Sequence, residues 1–343
     1  MRVKIEDVAK QAGVSTATVS LALNGSEKVN AGTRDRIEAI AREMHYRPNP
    51  NAKRLAMRRS RQIGLVVPDI ENIYYATLAQ HTLNELLASD YALTISTSMN
   101  SRRMERRIVA DMIGSQVEGL LIAPVEKPND DVEYLESLRR AGIPYVFVTA
   151  SYPNLKHPCV MCDLYGGMKR LLEALYARGY SRMTLLSGAE GAHCFELRDS
   201  AFVDFNRERG LGPRAICHLG GIRYDDARDF ALSMDIGDVD AIVCVNDMMA
   251  LGVVNALGER GVHMPEDVAV AGFDDSIFSR VSPVSITTVR QDIRQMAALA
   301  ARSILSLAGG EELDDPEPIP CEVILRQSTG HQSIDQRERM GAT

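Results

Sequence analysis

Two sets of side chains in this 343-residue sequence have the types and spacing to do chemistry. The first is Thr16, Ala17, Ser20 and Leu21 in the stretch IEDVAKQAGVSTATVSLALNG, residues 5–25, where they share the outward side of a predicted helix. Small hydroxyl, methyl and aliphatic groups suit the DNA major groove, whose base edges offer acceptors, donors and thymine methyls to a helix entering by its N-terminus. The second set follows short β-rich runs. Asn246 and Asp247 follow AIVCV, Phe273, Asp274 and Asp275 follow VAVAG, and a loop leads from MTLLS to Arg198. Asp69, Asn72, Tyr74 and Tyr75 follow IGLVVP, while Thr149 and Ser151 follow YVFV. Hydrogen-bonding groups beside aromatic faces amount to binding chemistry for a small polar molecule. Reaction chemistry lacks its motifs: there is no G-x-G-x-x-G after the first strand, no GxxxxGK[ST], no G-x-S-x-G and no H-E-x-x-H. Gly166 and Gly167 precede a helix without the phosphate-loop pattern. No enzyme activity, cofactor or metal is expected.

The elements that position the first set are local. Ile5, Val8, Ala9 and Ala12 recur at i, i+3, i+4 and i+7 and give one apolar stripe for a small three-helix core. Gly13 ends that helix, Ser15 caps the next, and Val19 and Leu23 point inward. Asn30 caps a third helix whose buried stripe is Ile37, Ile40, Ala41 and Met44. An ordinary helical hairpin would show as much, but a basic tail follows. Asn49 as cap and Pro50 at the first helical position predict a short helix over 51–56, with Lys53 and Arg54 for phosphates and Leu55 on another face. Residues 1–62 hold 13 Lys and Arg against 6 Asp and Glu, a charge of +7, so the remainder, 26 against 40, carries −14 of the overall −7. Clustered cations on an acidic chain fit a phosphate-binding arm on a sensor body.

Positioning the second set takes the whole remaining chain. IGLVV, YALTIS, GLLIA and YVFV alternate with helical stretches near 75–88, 102–115 and 130–141. The rhythm repeats after Asp163: MTLLS, AICH, AIVCV and VAVAG alternate with helices near 164–178, 196–209, 225–234 and 247–260. Both halves read as parallel α/β sheets. TTV, a helix from Ile293 to Ala308, and CEVIL read as crossings between two lobes, and ligands bind at the carboxyl ends of such strands. No apolar run approaches a membrane span and residues 1–10 are charged, which predicts a cytoplasmic protein. The six cysteines read as reduced thiols. Cys159 and Cys162 form a CxxC with no second pair or histidine at zinc-finger spacing and no redox βαβ start before it.

Residues 1–60, with DVA..AGVS..TVS..LNG, TR.R....A....Y.PN and A..L, resemble the head and hinge of the LacI/GalR family of bacterial transcription repressors. The body resembles that family's effector domain in ND.MALG at 246–252, MPEDVAVAGFDD at 264–275, ITTVRQD at 286–292 and R...F at 198–202, so coverage is almost the full chain. The resemblance implies an all-α helix-turn-helix head with a hinge helix, then an α/β two-lobed, periplasmic-binding-protein-like body with parallel sheets. The boundaries expected are a head over 1–48, hinge and linker over 49–62, one lobe from 63–162 plus 291–320, the other from 163–290 plus 321–332, and a tail over 333–343. DNA contacts are expected from Ser15, Thr16, Ala17, Thr18, Ser20, Leu21 and Asn24, with Asn51, Lys53, Arg54 and Leu55 in the hinge. Leu55 would be the minor-groove wedge. Effector contacts are expected from Arg198, Asn246 and Asp274, with Gln291 or Asp292 closing the rim and Tyr74, Tyr75, Thr149 and the loop residue His193 nearby. Asn246 can equally cap the helix that starts at Asp247. Asp275 reads as a turn or cap residue, and Arg198 has an alternative pairing with Asp199 or Glu196.

Three departures stand out. Leu21 replaces the arginine common after TVS, which removes a guanine-reading fork; the chain has no Trp; and Ile293 stands where some members carry an aromatic. The expectation is a homodimeric, operator-binding regulator, most readily a repressor, controlled by a sugar or sugar derivative bound between lobes. An effector that favours the lobe arrangement separating the hinges induces, and one that favours the other corepresses. The tail lacks a leucine heptad, so a dimer rather than a tetramer is expected. The alternatives are a doubly wound enzyme or a bilobed binding protein without operator function; the first lacks its motifs, and an exported sensor would need a signal and no basic head.

Overall fold

The computed structural model of the chain describes residues 3–46, 60–125, 132–152, 155 and 157–330, with the side chains of His193 and Cys194 outside the description. Two compact units result, Met1–Arg61 and Gln62–Thr343.

In the first unit, α1 (Ile5–Ala12), α2 (Thr16–Leu23) and α3 (Ala31–Glu43) enclose one apolar cluster. Val8, Ala9, Ala12, Val19, Ala22, Ile37 and Ala41 are buried, and Ile5, Leu23, Ile40 and Met44 pack half-buried against them. Gly13 makes the turn between α1 and α2 at φ 64°, a left-handed conformation that costs glycine least. The Ser15 hydroxyl accepts from Thr18 N at 3.1 Å, and the Asn30 side chain accepts from Thr33 N at 2.8 Å. Both predicted caps are therefore made. The predicted hinge helix, with Asn51, Lys53, Arg54 and Leu55, lies outside the described residues, as does the tail after Gly330.

The second unit runs β1 (Gln62–Val67), α4 (Ile73–Ala88), β2 (Ala92–Thr97), α5 (Arg102–Gly114), β3 (Gly119–Ile122), α6 (Leu135–Arg140), β4 (Tyr145–Val148) and β5 (Cys159–Val160). There follow α7 (Leu164–Tyr176), β6 (Met183–Ser187), α8 (His193–Glu208), β7 (Ile216–His218), α9 (Tyr224–Ser233), β8 (Ala241–Cys244), α10 (Asp247–Glu259) and β9 (Ala269–Ala271). The chain then continues through α11 (Ile277–Val281), β10 (Thr288–Arg290), α12 (Ile293–Ala308) and β11 (Glu322–Ile324). Two parallel sheets form, in the orders β2-β1-β3-β4-β5 and β7-β6-β8-β9. β3, β4, β6 and β8 are buried along their length, as expected of parallel strands covered on both faces. β10 and β11 pair antiparallel as a separate ribbon.

Three chain segments pass between the sheets. Residues 160–163 leave β5 for α7; β10 leads through Gln291 into α12, which packs on α4, β3 and β4; and 319–324 return to β11. The short strand β5 was not among the runs picked out in the sequence, since two residues carry no readable periodicity. Gly166 and Gly167, expected ahead of the helix, lie in the first turn of α7 instead, because Asp163 caps it through Gly166 N at 2.8 Å. At Gly252 of α10 a Cβ would come within 2.3 Å of the Tyr224 carbonyl, so glycine there lets α9 and α10 approach closely. Among the described residues no helix is long and apolar enough to cross a membrane.

Candidate functional site

The face expected to read bases is present on α2. Thr16 and Ala17 are exposed, Leu21 is 40% exposed and Ser20 is half-buried. Ser15 and Thr18 spend their hydroxyls locally, at 2.9 Å from one another, which fixes the start of α2. Asn24 donates to the Ser20 carbonyl at 2.8 Å and so closes the other end. The groups left for a partner on this face are the Thr16 and Ser20 hydroxyls, the Ala17 methyl and the Leu21 side chain. Two arginines of α3 are structural: Arg34 donates to the carbonyls of Ser26 (2.8 Å) and Val29 (3.2 Å), and Arg36 to that of Ala12 (3.1 Å).

The second site is a cleft between the two sheets of the body. It brings together seven of the eight residues expected there: Tyr74, Tyr75, Thr149, Arg198, Asn246, Asp274 and Gln291. The side chain of the eighth, His193, lies outside the described residues. Strand ends and helix starts deliver them, as the parallel topology requires. Asn72 caps α4 through Tyr74 N at 3.0 Å and aims Tyr74 and Tyr75 inward, where their rings meet edge to face at 5.3 Å. Asn246 caps α10 through Met249 N at 2.7 Å and donates to the Ile222 carbonyl at 3.0 Å, so it is a cap and a cleft residue at once.

The centre of the cleft is a hydrogen-bond chain between lobes. Tyr74 OH donates to Gln291 Oε1 at 3.1 Å, and Gln291 Nε2 donates to Asp274 Oδ1 at 2.7 Å. Gln291 is only 5% exposed, which corrects its expected place at the rim. Asp292 is not at the rim either: it caps α12 through Gln295 N at 2.8 Å. Burial pushes the Tyr74 phenol well above its ordinary range, so it donates as a neutral hydroxyl.

Arg198 is 7% exposed, and its guanidinium lies 4.5 Å from the centre of the Phe273 ring. Its Nε is buried without a hydrogen-bond partner among the described residues. The alternative pairing with Asp199 is not made, since Asp199 accepts from the Ser187 hydroxyl at 2.6 Å. A buried cation held over an aromatic face with a spare donor is a site for an acceptor-rich molecule.

Backbone strain collects at the same place. Thr149 (φ 72°), Asp274 (φ 115°) and Asp275 (φ 55°) all lie in the left-handed region. Asp274 is kept there by its N–H bond to the Val289 carbonyl at 2.7 Å and by Gln291. Asp275 proves more than a turn residue, for its carboxylate binds Arg290 at 2.7 Å and Arg326 at 2.5 Å, and those two cations hold it below the usual carboxylate range. Sequence reasoning missed the apolar lining of Phe195, Leu164, Ile222 and Val245, because apolar side chains within strands and helices read as core. Phe195 precedes Arg198 by three positions on one helix, a spacing that could have revealed it.

A bilobed cleft of this kind and a small helical head point to the same relatives. The family described as bacterial regulatory proteins, lacI family, matches residues 4–49, and the periplasmic binding protein-like domain matches 172–329. Catabolite control protein A of Priestia megaterium is 29% identical over 335 residues, covering 96% of this chain and 100% of that protein. The Lac repressor dimer bound to operator and the anti-inducer ONPF superposes with a TM-score of 0.86 at 25% identity, covering 96% of this chain and 100% of that one. The complex of the transcriptional regulator CelR with cellobiose gives 0.71 at 25% identity, covering 95% and 100%. With a lacI-family helix-turn-helix at one end and a periplasmic binding protein-like domain behind it, the chain is similar along almost its whole length to DNA-binding transcriptional regulators of the lacI family rather than to enzymes.

Proposed function

We propose that this regulator is a cytoplasmic homodimer that represses transcription from a near-palindromic operator and is controlled by a sugar or sugar derivative held in the cleft. Thr16, Ala17 and Leu21 meet base edges in the major groove, and Ser15, Thr18, Ser20 and Asn24 flank them at the groove wall. Asn51, Lys53, Arg54 and Leu55 serve as hinge contacts, with Leu55 the minor-groove wedge. We assign the domain boundaries as read from the sequence.

The observation that carries the effector reading is the chain Tyr74–Gln291–Asp274 beside the buried guanidinium of Arg198. A polyhydroxylated ring both donates and accepts at each hydroxyl, so it can satisfy a carboxylate, an amide and a guanidinium at once while a face packs on Tyr75 or Phe195. The CelR complex, which holds cellobiose, supports this class.

The test is a thermal-shift screen of the purified chain against monosaccharides, disaccharides, sugar acids and nucleosides. A sugar at a hundredfold excess over its Kd stabilises by about 2.7 kcal/mol. At least one sugar is expected to raise the melting midpoint of the wild type and to lose that effect in Asp274→Ala. A response confined to nucleosides, or one undiminished in the variant, would overturn the reading.

A further inference from the structure

Two cysteines far apart in sequence meet where the chain passes between the lobes. Cys162 is fully buried and forms a parallel bridge with Ile319, flanked by Asp163 N to Ile319 O at 2.8 Å and Ile319 N to Met161 O at 2.9 Å. Cys321 lies two residues beyond Ile319, is 7% exposed, and rests against Gly167, where a Cβ would stand 3.2 Å from its sulfur. The bridge sets Cys321 two positions along from the residue opposite Cys162, and the two thiols are close enough to perturb each other electrostatically. Cys159, the other half of the CxxC, turns instead to Ser151, and burial pushes its thiol up to about 12.

We propose that Cys162 and Cys321 are a redox modification site that closes to a reversible disulfide on exposure to hydrogen peroxide. The two cysteines lie on bridged neighbouring segments, so closing a ~2.05 Å bond requires local rearrangement rather than a change of fold. Cys321 is the nucleophile. Interaction with the Cys162 thiol and the nearby guanidinium groups of Arg170 and Arg198 lower its pKa, while the same interaction and burial raise that of Cys162. The Cys321 thiolate attacks one peroxide oxygen, the O–O bond breaks, hydroxide leaves, and the sulfur is oxidised to a sulfenic acid. Cys162 sulfur then displaces that oxygen, which departs as water with the thiol proton, and the second oxygen is likewise released as water. Two thiols and one peroxide thus give one disulfide and two waters. Tyr74 and Arg198, which line the cleft, are electrostatic neighbours of the pair. The new bond would tie two of the three segments passing between lobes and so brace the hinge.

The experiment uses the full-length chain, reduced, desalted and treated with hydrogen peroxide, then trapped with N-ethylmaleimide under denaturing conditions and mapped by mass spectrometry. The expected result is a peptide pair joined through Cys162 and Cys321, a loss of two of the six titratable thiols, and full recovery with dithiothreitol. Cys162→Ser is expected to leave Cys321 as a trapped sulfenic acid. Amide exchange at Asp163 and Ile319 is expected to slow in the oxidised chain. Full alkylation of both cysteines after peroxide has oxidised other thiols, or disulfides to other cysteines only, would overturn the proposal. Unchanged exchange in the linked chain would overturn the bracing role.

Discussion

Beneath the cleft the amino-terminal lobe buries Glu105 and the carboxy-terminal lobe buries Asp247, and the two carboxylates do the same mechanical work in different electrical surroundings. Glu105, on α5, accepts from Val125 N at 3.1 Å, from Tyr152 OH at 2.8 Å and from Tyr134 OH, and so ties the segment after β3 to the one after β4. Both segments line the cleft, through Pro124 and through Thr149 and Ala150. Arg102, stacked on Tyr152 at 4.0 Å, balances the charge at 3.1 Å. Asp247, at the start of α10, accepts from Ser276 N and from the Thr288 hydroxyl, each at 2.6 Å, and ties the loop after β9 to β10. Its hydrogen-bond partners are neutral, since the nearby cations Arg290 and Arg326 bind Asp275. Burial, with Asp275 adding repulsion, pushes Asp247 up to about 7. A buried carboxylate can anchor a cleft with or without a cation.

The largest effect is expected from breaking the paired carboxylate. Glu105→Ala leaves a buried guanidinium uncompensated and strips two tyrosine hydroxyls and an amide of their acceptor, so it should cost about 5 kcal/mol, the upper end for a broken buried pair. Urea unfolding measures this. Asp247→Asn at pH 7 keeps an acceptor and removes a charge that is only partly present, so it should cost far less than Glu105→Gln. Equal losses for the two conservative variants would erase the contrast between lobes.

The next effect in size is a pH dependence assigned to one residue. A carboxyl whose folded-state pKa lies above its unfolded value holds its proton more tightly in the folded chain. For Asp247, between its ordinary 3.8 and about 7, unfolding therefore releases a proton. Its contribution to stability is fullest below that window and is lost as pH rises through it, a span on the order of 4 kcal/mol. The stability of the wild type minus that of Asp247→Asn should fall from pH 4 to pH 7 and then level. A difference that stays flat would place the charge of Asp247 elsewhere.

What the sequence discloses follows the range of the interaction. Ile5, Val8, Ala9 and Ala12 define the head because a 3.6-residue period records burial within one helix, and Ser15 and Asn30 cap their helices three residues away. The buried runs of β3, β4, β6 and β8 are equally plain, since parallel strands are apolar on both faces. Cleft residues at strand ends were found by topology, but their partners were not. Gln291 reads as a rim residue until Tyr74, 217 positions away, is seen to donate to it. Glu105 sits in RRMERR, which looks like a solvated charged helix, and only the fold brings Tyr134 and Tyr152 over it. Periodicity reports that a side chain is inside without reporting what it meets there.

The smallest effect concerns the mouth of the cleft, where the lobes meet through an exposed pair. Arg223, before α9, binds Asp69 at 2.7 Å and Glu71 at 3.1 Å, both after β1. Its side chain is 63% exposed, so water and salt screen the attraction that Glu105 and Arg102 keep to themselves. Arg223→Ala should therefore change global stability by less than about 1 kcal/mol, and raising salt from 50 to 500 mM should reproduce most of that change in the wild type. The pair nonetheless joins one lobe to the other, whereas the buried carboxylates each act within a lobe. Small-angle scattering of Arg223→Ala should show a more open body at unchanged unfolding midpoint. A loss of several kcal/mol without opening would mean that the rim pair supports the fold as the buried ones do, and the distinction between anchors within lobes and a latch across them would fail.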